Sequence, residues 1–555
     1  MVFHKLRLLL RTALAPWAKE HGLALPEEFP LAPIPAHLKG DVSLSWPLKI
    51  SKELKKNPLE ISQKLAVLLD KAAQGFASVE ACPPGFDNFT FQISSLVENL
   101  KTLLNNPAEY GRQEKAQDSF LIEFVSANPT GPLHLAHGRA ATLGDSLARI
   151  LKLLGHKVST EFYVNDMGTQ VDLLGKSLQA RKQDRLPPEK GYLGENIREA
   201  AQKFPEESKN WSAEEWAQAG IRYFMELQRS DLDAFEVHFD RWFRESDLHQ
   251  KNALEETLNY LKQNGMAYEK DGAVWFGSSS QGEDDKDRVL IRSDKRPTYF
   301  LPDIAYHRDK LRRGYRKLVT IWGADHHGYV PRMRAAIGAL GHPDAFQPIV
   351  HQLVHLTRGN VVVKMSKRAG EFVTLHELME EVGKDACRFF FAMRSPNSHL
   401  NFDLELAKKK SQENPVYTVQ YVHARICSIF REAQKKNLVM IPSPHPLPQG
   451  EREKSLELGT WNLEVLKETE ERALLVRLAW FPEVLKTCAT DLSPHHLTTY
   501  LMDLAGLFNP FYEKHRVVDE GNAELSKARL ALCEGTRLLI EKGLELLGVS
   551  SPTQM

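Results

Sequence analysis

Two histidines three residues apart, His134 and His137, stand at the mouth of a helix in the stretch ANPTGPLHLAHGR. Imidazoles so placed can donate hydrogen bonds to phosphate oxygens. They become more useful as negative charge builds on those oxygens during displacement of pyrophosphate. The same turn carries Gly131 and Gly138, and the helix from Arg139 aims its N-terminus at the loop. Small residues and a helix N-terminus are what close backbone approach to an anion requires. The turn has neither GxGxxG nor GxxxxGK[ST], so it indicates neither a dinucleotide site nor a P-loop. Taken alone, two histidines at this spacing also read as a packed or metal-binding pair. Far downstream, Lys364, Lys367 and Arg368 cluster around Met365 and Ser366 in VVVKMSKRAGEF. A basic run is usually a solvated loop. Here it follows a Val-rich strand and ends in Ala-Gly, as a sheet-edge loop that could fold over a triphosphate would. A lysine there is a mobile point charge suited to a leaving pyrophosphate.

The elements around these residues set the fold class. SFLIEFVSA, from Ser119, is a continuous apolar strand of the kind buried in a parallel sheet. GRAATLGDSLARILKLLGHKV is a helix with Leu143, Leu147, Ile150, Leu151 and Leu154 on one face and Gly155 as its stop. STEFYVND is the next strand. Strand, loop, helix and strand make a βαβ unit and imply a doubly wound, Rossmann-type α/β sheet. The core is expected to resume at RVLIRSD and PTYFLPDIAYH and to continue in KLVTIWGADHHGYV. In that last stretch Gly323 lets a nucleotide lie against backbone, with Asp325 and His327 in reach of ribose or adenine. The competing reading of Asp-His-His as a metal site lacks a third ligand type nearby.

A chain of 555 residues is too long for one ordinary domain. The expected organisation is an N-terminal α+β domain over 1–110, a Rossmann-type domain over 111–410 with a polar insertion at about 175–285, and an all-α helical bundle over 411–555. Phe3, Leu6, Leu10, Ala13 and Trp17 recur at helical spacing, so the basic N-terminus reads as a first helix and not as a targeting peptide. ACPPGFDNFTFQI reads as a turn into an aromatic strand, and IPSPHPLPQG (441–450) as a surface loop. Basic and aromatic residues interleave in the last segment: Tyr417, Tyr421, His423 and Arg425, then Phe511, Tyr512, Lys514, His515 and Arg516. Such pairs can stack splayed bases and meet phosphates. Tyr417 and Tyr421 are expected to be packing, and 511–516 to be the RNA-facing run. Lys plus Arg equals Asp plus Glu at 72 each, so net charge does not announce a polyanionic partner. The cysteines, Cys82, Cys387, Cys427, Cys488 and Cys533, show no CxxC pair and read as reduced thiols in a reducing compartment. No apolar run reaches membrane-spanning length.

His134-Leu135-Ala136-His137 and Lys364-Met365-Ser366-Lys367-Arg368 match, in order, the HIGH and KMSKS signatures of the class I aminoacyl-tRNA synthetases, which this chain resembles. The flanks EFVSANPTGPLHLAHGR, YVNDMGTQ, PTYFLPDIAYH, WGADHHGYVPRM and DACRFFFAMRSPNSHLNFDLELAKKKSQENPVYTVQYVHARICSI are similar to the bacterial arginyl-tRNA synthetases. The likeness runs from about Phe120 to the end and loosens in the first hundred residues. Ala136 stands where the family usually has Gly. Glu371 and the Lys295-Arg296 pair also look atypical.

The resemblance implies arginine activation with Mg-borne ATP through an arginyl-adenylate, followed by transfer to tRNA(Arg), by a cytoplasmic monomer with no protein-held metal. His134, His137, Lys364 and Lys367 would be catalytic. ATP would meet Gly131, His134, His137, Gly138, Gly323, Asp325, His327, Met365, Ser366 and Lys367. Glu123, Asn128, His134, Tyr299 and Asp303 would hold arginine, and Tyr512, Lys514 and Arg516 the tRNA. The chemistry agrees, since a guanidinium needs carboxylates. Glu123 on its apolar strand would be costly to bury without a cation, which arginine would supply. Its alternative is a strand-edge glutamate facing solvent. Asp303 could instead cap a helix beginning near Ile304, and Tyr299 could be core.

Overall fold

The computed structural model describes residues 1–35, 38–113, 118–279, 284–359, 361–362, 373–438 and 461–555. Lys364, Met365, Ser366, Lys367, Arg368 and Glu371 therefore lie outside the described residues, as does the Pro-rich stretch 441–450.

The central sheet is built from β1 (Ser119–Glu123), β2 (Lys157–Val164), β3 (Arg241–Arg244), β4 (Lys317–Gly323) and β5 (Phe346–His351). All neighbours pair in parallel, in the order β3-β2-β1-β4-β5. This is the doubly wound topology the βαβ pattern predicts. The apolar run of β1 follows from cover on both faces. Phe120 and Ile122 enter the larger core with Leu143, Leu147 and Leu151, whereas Leu121 joins a second core with Leu301, Ile304 and Leu318. Helix α1 (Leu135–Leu154) buries all five residues of its expected face and ends at Gly155, whose φ of 101° is left-handed. It lies hard on β1: a Cβ on Gly144 would stand 2.2 Å from the Phe124 ring.

PTYFLPDIAYH joins the core as a helix, α2 (Phe300–Arg312), packed against the sheet face that carries Leu121. Two expectations about the middle of the chain are corrected. Arg288–Ile291 is a strand, but it belongs to a separate antiparallel sheet with Ala267–Lys270 and Ala273–Phe276. Short apolar runs do not tell helix from strand, and they do not say which sheet they join. The stretch expected as an insertion at about 175–285 also holds β3, the edge strand of the central sheet. Its four residues, Arg-Trp-Phe-Arg, carry too little apolar pattern to be read as core. What inserts between β2 and β3 is a helical hairpin: Thr169–Lys182, Glu195–Lys203 and Ala213–Ala234.

The first helix spans Val2–Glu20 and buries Val2, Phe3, Leu6, Leu10, Leu14 and Ala18, so Ala13 and Trp17 flank the buried stripe instead of lying in it. It packs with a four-stranded antiparallel sheet that contains the hairpin Ala77–Cys82 and Phe86–Phe91. At the other end of the chain, α3 (Lys384–Ala392) leads into α4 (Pro415–Lys435), α5 (Thr469–Thr490), α6 (His495–Lys514) and α7 (Ala523–Leu547). The N-terminal domain docks on α5: Arg7 donates to Glu483 at 2.7 Å and the Tyr110 hydroxyl to the Leu478 carbonyl at 3.2 Å.

Candidate active site

The crevice lies where strand order reverses, at the carboxyl ends of β1 and β4. The chain leaves β1 through Val125 and Ser126, both left-handed with φ of 66° and 41°. Positive φ in a β-branched residue is strained, and strain of this kind concentrates at functional sites. The bend lets Ser126 Oγ donate to Glu123 Oε1 at 3.3 Å and accept from the Tyr163 amide at 3.1 Å.

His134 is the N-cap of α1, and its backbone amide donates to His137 Nδ1 at 3.2 Å. The two rings stack at 3.7 Å and 19°. Both imidazoles are thus gathered at the positive end of a 20-residue helix, the place for an anion. Gly131 lies in the approach turn. Gly138 is small for another reason, because a Cβ there would meet Leu375 Cδ1 at 2.8 Å and Phe391 at 3.0 Å. It is buried, and its missing side chain is accounted for by this helix packing. Across the crevice, Gly323 ends β4, and Asp325 and His327 are exposed on the 3₁₀ turn Ala324–Tyr329. Among the described residues no group of three or more His, Cys, Asp or Glu side chains could hold a metal ion, so the Asp-His-His stretch forms no such cluster.

Glu123 is buried, but the cation that offsets it belongs to the protein. Lys310 Nζ on α2 donates to Glu123 Oε2 at 2.6 Å, and the lysine side chain is 1% exposed. This corrects the expectation that arginine supplies the missing partner. Beside Glu123 in register on β2 is Glu161, wholly buried, which accepts from the Tyr306 hydroxyl at 2.7 Å and from Arg313 at 2.8 and 3.0 Å. Each buried carboxylate of this pair therefore has its own cation.

Two other carboxyls have no such cation among the described residues. Asp303 lies in the first turn of α2, where the Tyr329 hydroxyl donates to it. Burial pushes its pKa up to about 7; Glu123 and Glu245 add to the rise, while Tyr329 and Lys310 oppose it. Asp303 does not cap α2, because Tyr299 holds the N-cap position. Glu245 follows β3 and is also buried. Burial raises its pKa to about 7, with Asp166 adding and the Tyr163 hydroxyl opposing. Turned to satisfy its amide, Asn165 donates to Glu245 at 3.1 Å. Glu245 was not legible in the sequence, since its strand was not. Asn128 and Tyr299 are exposed on the rim, and Tyr299 is not core.

Away from the crevice, Arg425 on α4 lies between two rings, 5.1 Å from Tyr421 and 5.0 Å from Tyr512 of α6. Tyr417 and Tyr421 stack at 6.1 Å and are half-buried. Phe511 is buried. Lys514 is paired with Glu470 at 2.5 Å, and Arg516 is exposed.

A five-stranded parallel sheet of this order, with a histidine turn at its switch point, fits the core of a class I aminoacyl-tRNA synthetase. Residues 99–392 match the family described as tRNA synthetases class I (R), catalytic domain. Residues 4–91 match the arginyl tRNA synthetase N terminal domain and 419–555 the DALR anticodon binding domain. The chain is 50% identical to an arginine–tRNA ligase of Elusimicrobium minutum, over 96% of each chain. It is 43% identical to one from Geobacillus kaustophilus, again over 96% of each. Its fold superposes on Thermus thermophilus arginyl-tRNA synthetase with a TM-score of 0.77 at 23% identity, covering 99% of this chain and 100% of that one. The chain belongs to the arginyl-tRNA synthetase family.

Proposed function

We propose that the protein ligates L-arginine to its cognate tRNA at the expense of ATP, and that the crevice over β1 and β4 is where it does so. The observation that carries the reading is the pair Asp303 and Glu245, two buried carboxyls with no cation of their own among the described residues, whose pKa values rise to about 7. A guanidinium is planar, permanently charged and rich in donors, and it supplies the charge both groups lack. Glu123, held by Lys310, and Asn128 at the rim would take the α-amino end, with Tyr299 covering the entrance.

In the first step an arginine carboxylate oxygen attacks the α-phosphorus in line. The new P–O bond replaces the bond to pyrophosphate, which leaves with its electron pair and with the magnesium it shares. His134 and His137 donate to the phosphate oxygens as charge grows there, and the N-terminus of α1 adds its dipole. Gly131 and Gly323 let backbone approach the nucleotide, with Asp325 and His327 at its ribose or base. Lys364 and Lys367 would supply positive charge to the leaving pyrophosphate, with Met365 and Ser366 contributing to ATP binding. In the second step a terminal ribose hydroxyl of the tRNA attacks the arginyl carbonyl and AMP departs. Catalysis is by positioning and charge stabilisation, with no covalent enzyme intermediate.

The face formed by exposed Tyr512 and the half-buried Arg425, Tyr421 and Tyr417, with Lys514 and Arg516 beside it, would receive splayed anticodon-loop bases. The protein would act as a cytoplasmic monomer; among the described residues no helix is long and apolar enough to cross a membrane. The test is charging of total tRNA with each labelled amino acid in turn. Arginine alone is expected to become acid-precipitable. Charging of another amino acid instead would refute the specificity, and tRNA binding without any charging would identify a non-catalytic homologue.

A further inference from the structure

Gln228 lies in the helix Ala213–Ala234 of the inserted hairpin and is fully buried. Its amide nitrogen donates twice, to the Asn128 carbonyl at 3.1 Å and to the Gly131 carbonyl at 2.9 Å. Its own oxygen, equally buried, accepts nothing among the described residues. A half-satisfied amide is an expensive way to fill space, so packing alone does not account for a glutamine there. Both donated bonds go to the turn between β1 and α1. The hairpin also touches that turn elsewhere: a Cβ on Gly131 would stand 3.3 Å from Asn196 Nδ2. One turn beyond Gln228, buried Asp231 faces His376 at 3.6 Å on the helix Leu375–Val382, whose Leu375 amide donates to the Leu133 carbonyl at 2.9 Å. Asn128 and Gly131 are therefore held from outside the sheet by a helix of the insertion, and Leu133 by the helix that starts at Leu375.

We infer that Gln228 is a positioning residue for arginine activation: its paired hydrogen bonds fix the backbone of Asn128–Gly131, and with it the rim amide of Asn128 and the approach to His134. The inference rests on the synthetase reading above. Without the two donors, the Gly131 carbonyl loses its partner and the Asn128 carbonyl keeps only the Thr130 amide at 2.8 Å, so the turn is free to shift, and small misplacements of this kind cost rate steeply.

The experiment is arginine-dependent ATP–pyrophosphate exchange with tRNA present, on the full chain, with active sites titrated and melting followed in parallel. Gln228→Leu is expected to lower kcat per active site by about 10- to 100-fold and to raise the arginine KM, with tRNA affinity unchanged. Gln228→Glu keeps the size but cannot donate when ionised. Its activity relative to wild type is expected to climb as pH falls from 8.5 to 6, when protonation returns one donor. A merely structural role would reduce the fraction of active sites and leave kcat per site, both KM values and the pH ratio at wild type; that result overturns the inference. If Gln228→Leu does not fold, the pH ratio of Gln228→Glu decides. If wild type itself shows no arginine-dependent exchange, it is the synthetase reading that has failed.

Discussion

Asp303 and Glu245 are acids whose proton is held up to about pH 7 by burial. A cationic substrate binds their ionised forms, so binding expels the proton. The sign follows: above pH 7 the pocket is already charged and the arginine KM should be flat, whereas below it the KM should rise by up to about tenfold per pH unit for each proton displaced. An arginine KM that does not change between pH 8 and 6 would remove these two carboxyls from the pocket. Lys310 belongs to the same scale. Lys310→Met leaves Glu123 buried without its cation, which costs about 3–5 kcal/mol, and a urea titration should show it. A loss below about 1 kcal/mol would mean that Glu123 does not depend on that lysine. The sequence pointed to Glu123 and Asp303 because acids in apolar segments stand out. It could not point to Lys310, which is 187 residues from Glu123, because cationic side chains on a helix carry no mark of burial.

Elements whose pattern is local were readable, and those defined by partners were not. β1 shows an unbroken apolar run and α1 a repeated apolar face, and both lie where the sequence places them. β3 is four residues long and gains its identity only by pairing with β2, so it was folded into the expected insertion, and Glu245 was lost with it. The packing role of Gly138 was likewise invisible, since Leu375 and Phe391 come from a distant part of the chain. Gly138→Ala should overpack the start of α1, costing about 1–3 kcal/mol and displacing the histidine end. A variant with normal melting and normal kcat would show that the contact gives way freely.

The three domains share one continuous core that runs from Val2 to Val549. Within it a single buried side chain ties the catalytic domain to the helical one: Arg388 of α3 donates to Asp145 on α1, to the Leu547 carbonyl at 2.7 Å and to the Phe235 carbonyl at 2.9 Å. Gly548 makes room for it, since a Cβ there would stand 2.3 Å from the guanidinium. Arg388→Met should therefore cost about 3–5 kcal/mol, seen as a lower denaturant midpoint for the catalytic and helical domains together. Separate transitions with only one domain affected would deny that coupling. At this scale the docking of the N-terminal segment on α5 was not legible in the sequence, because Arg7 and Glu483 are 476 residues apart. The central claim, that the acidic crevice reads arginine, is tested most directly by the Michaelis constants of Asp303→Asn for arginine and ATP, measured side by side. The account predicts that the arginine KM rises by about 10- to 100-fold while that for ATP changes little. Equal changes in the two constants, or none in that for arginine, would contradict it.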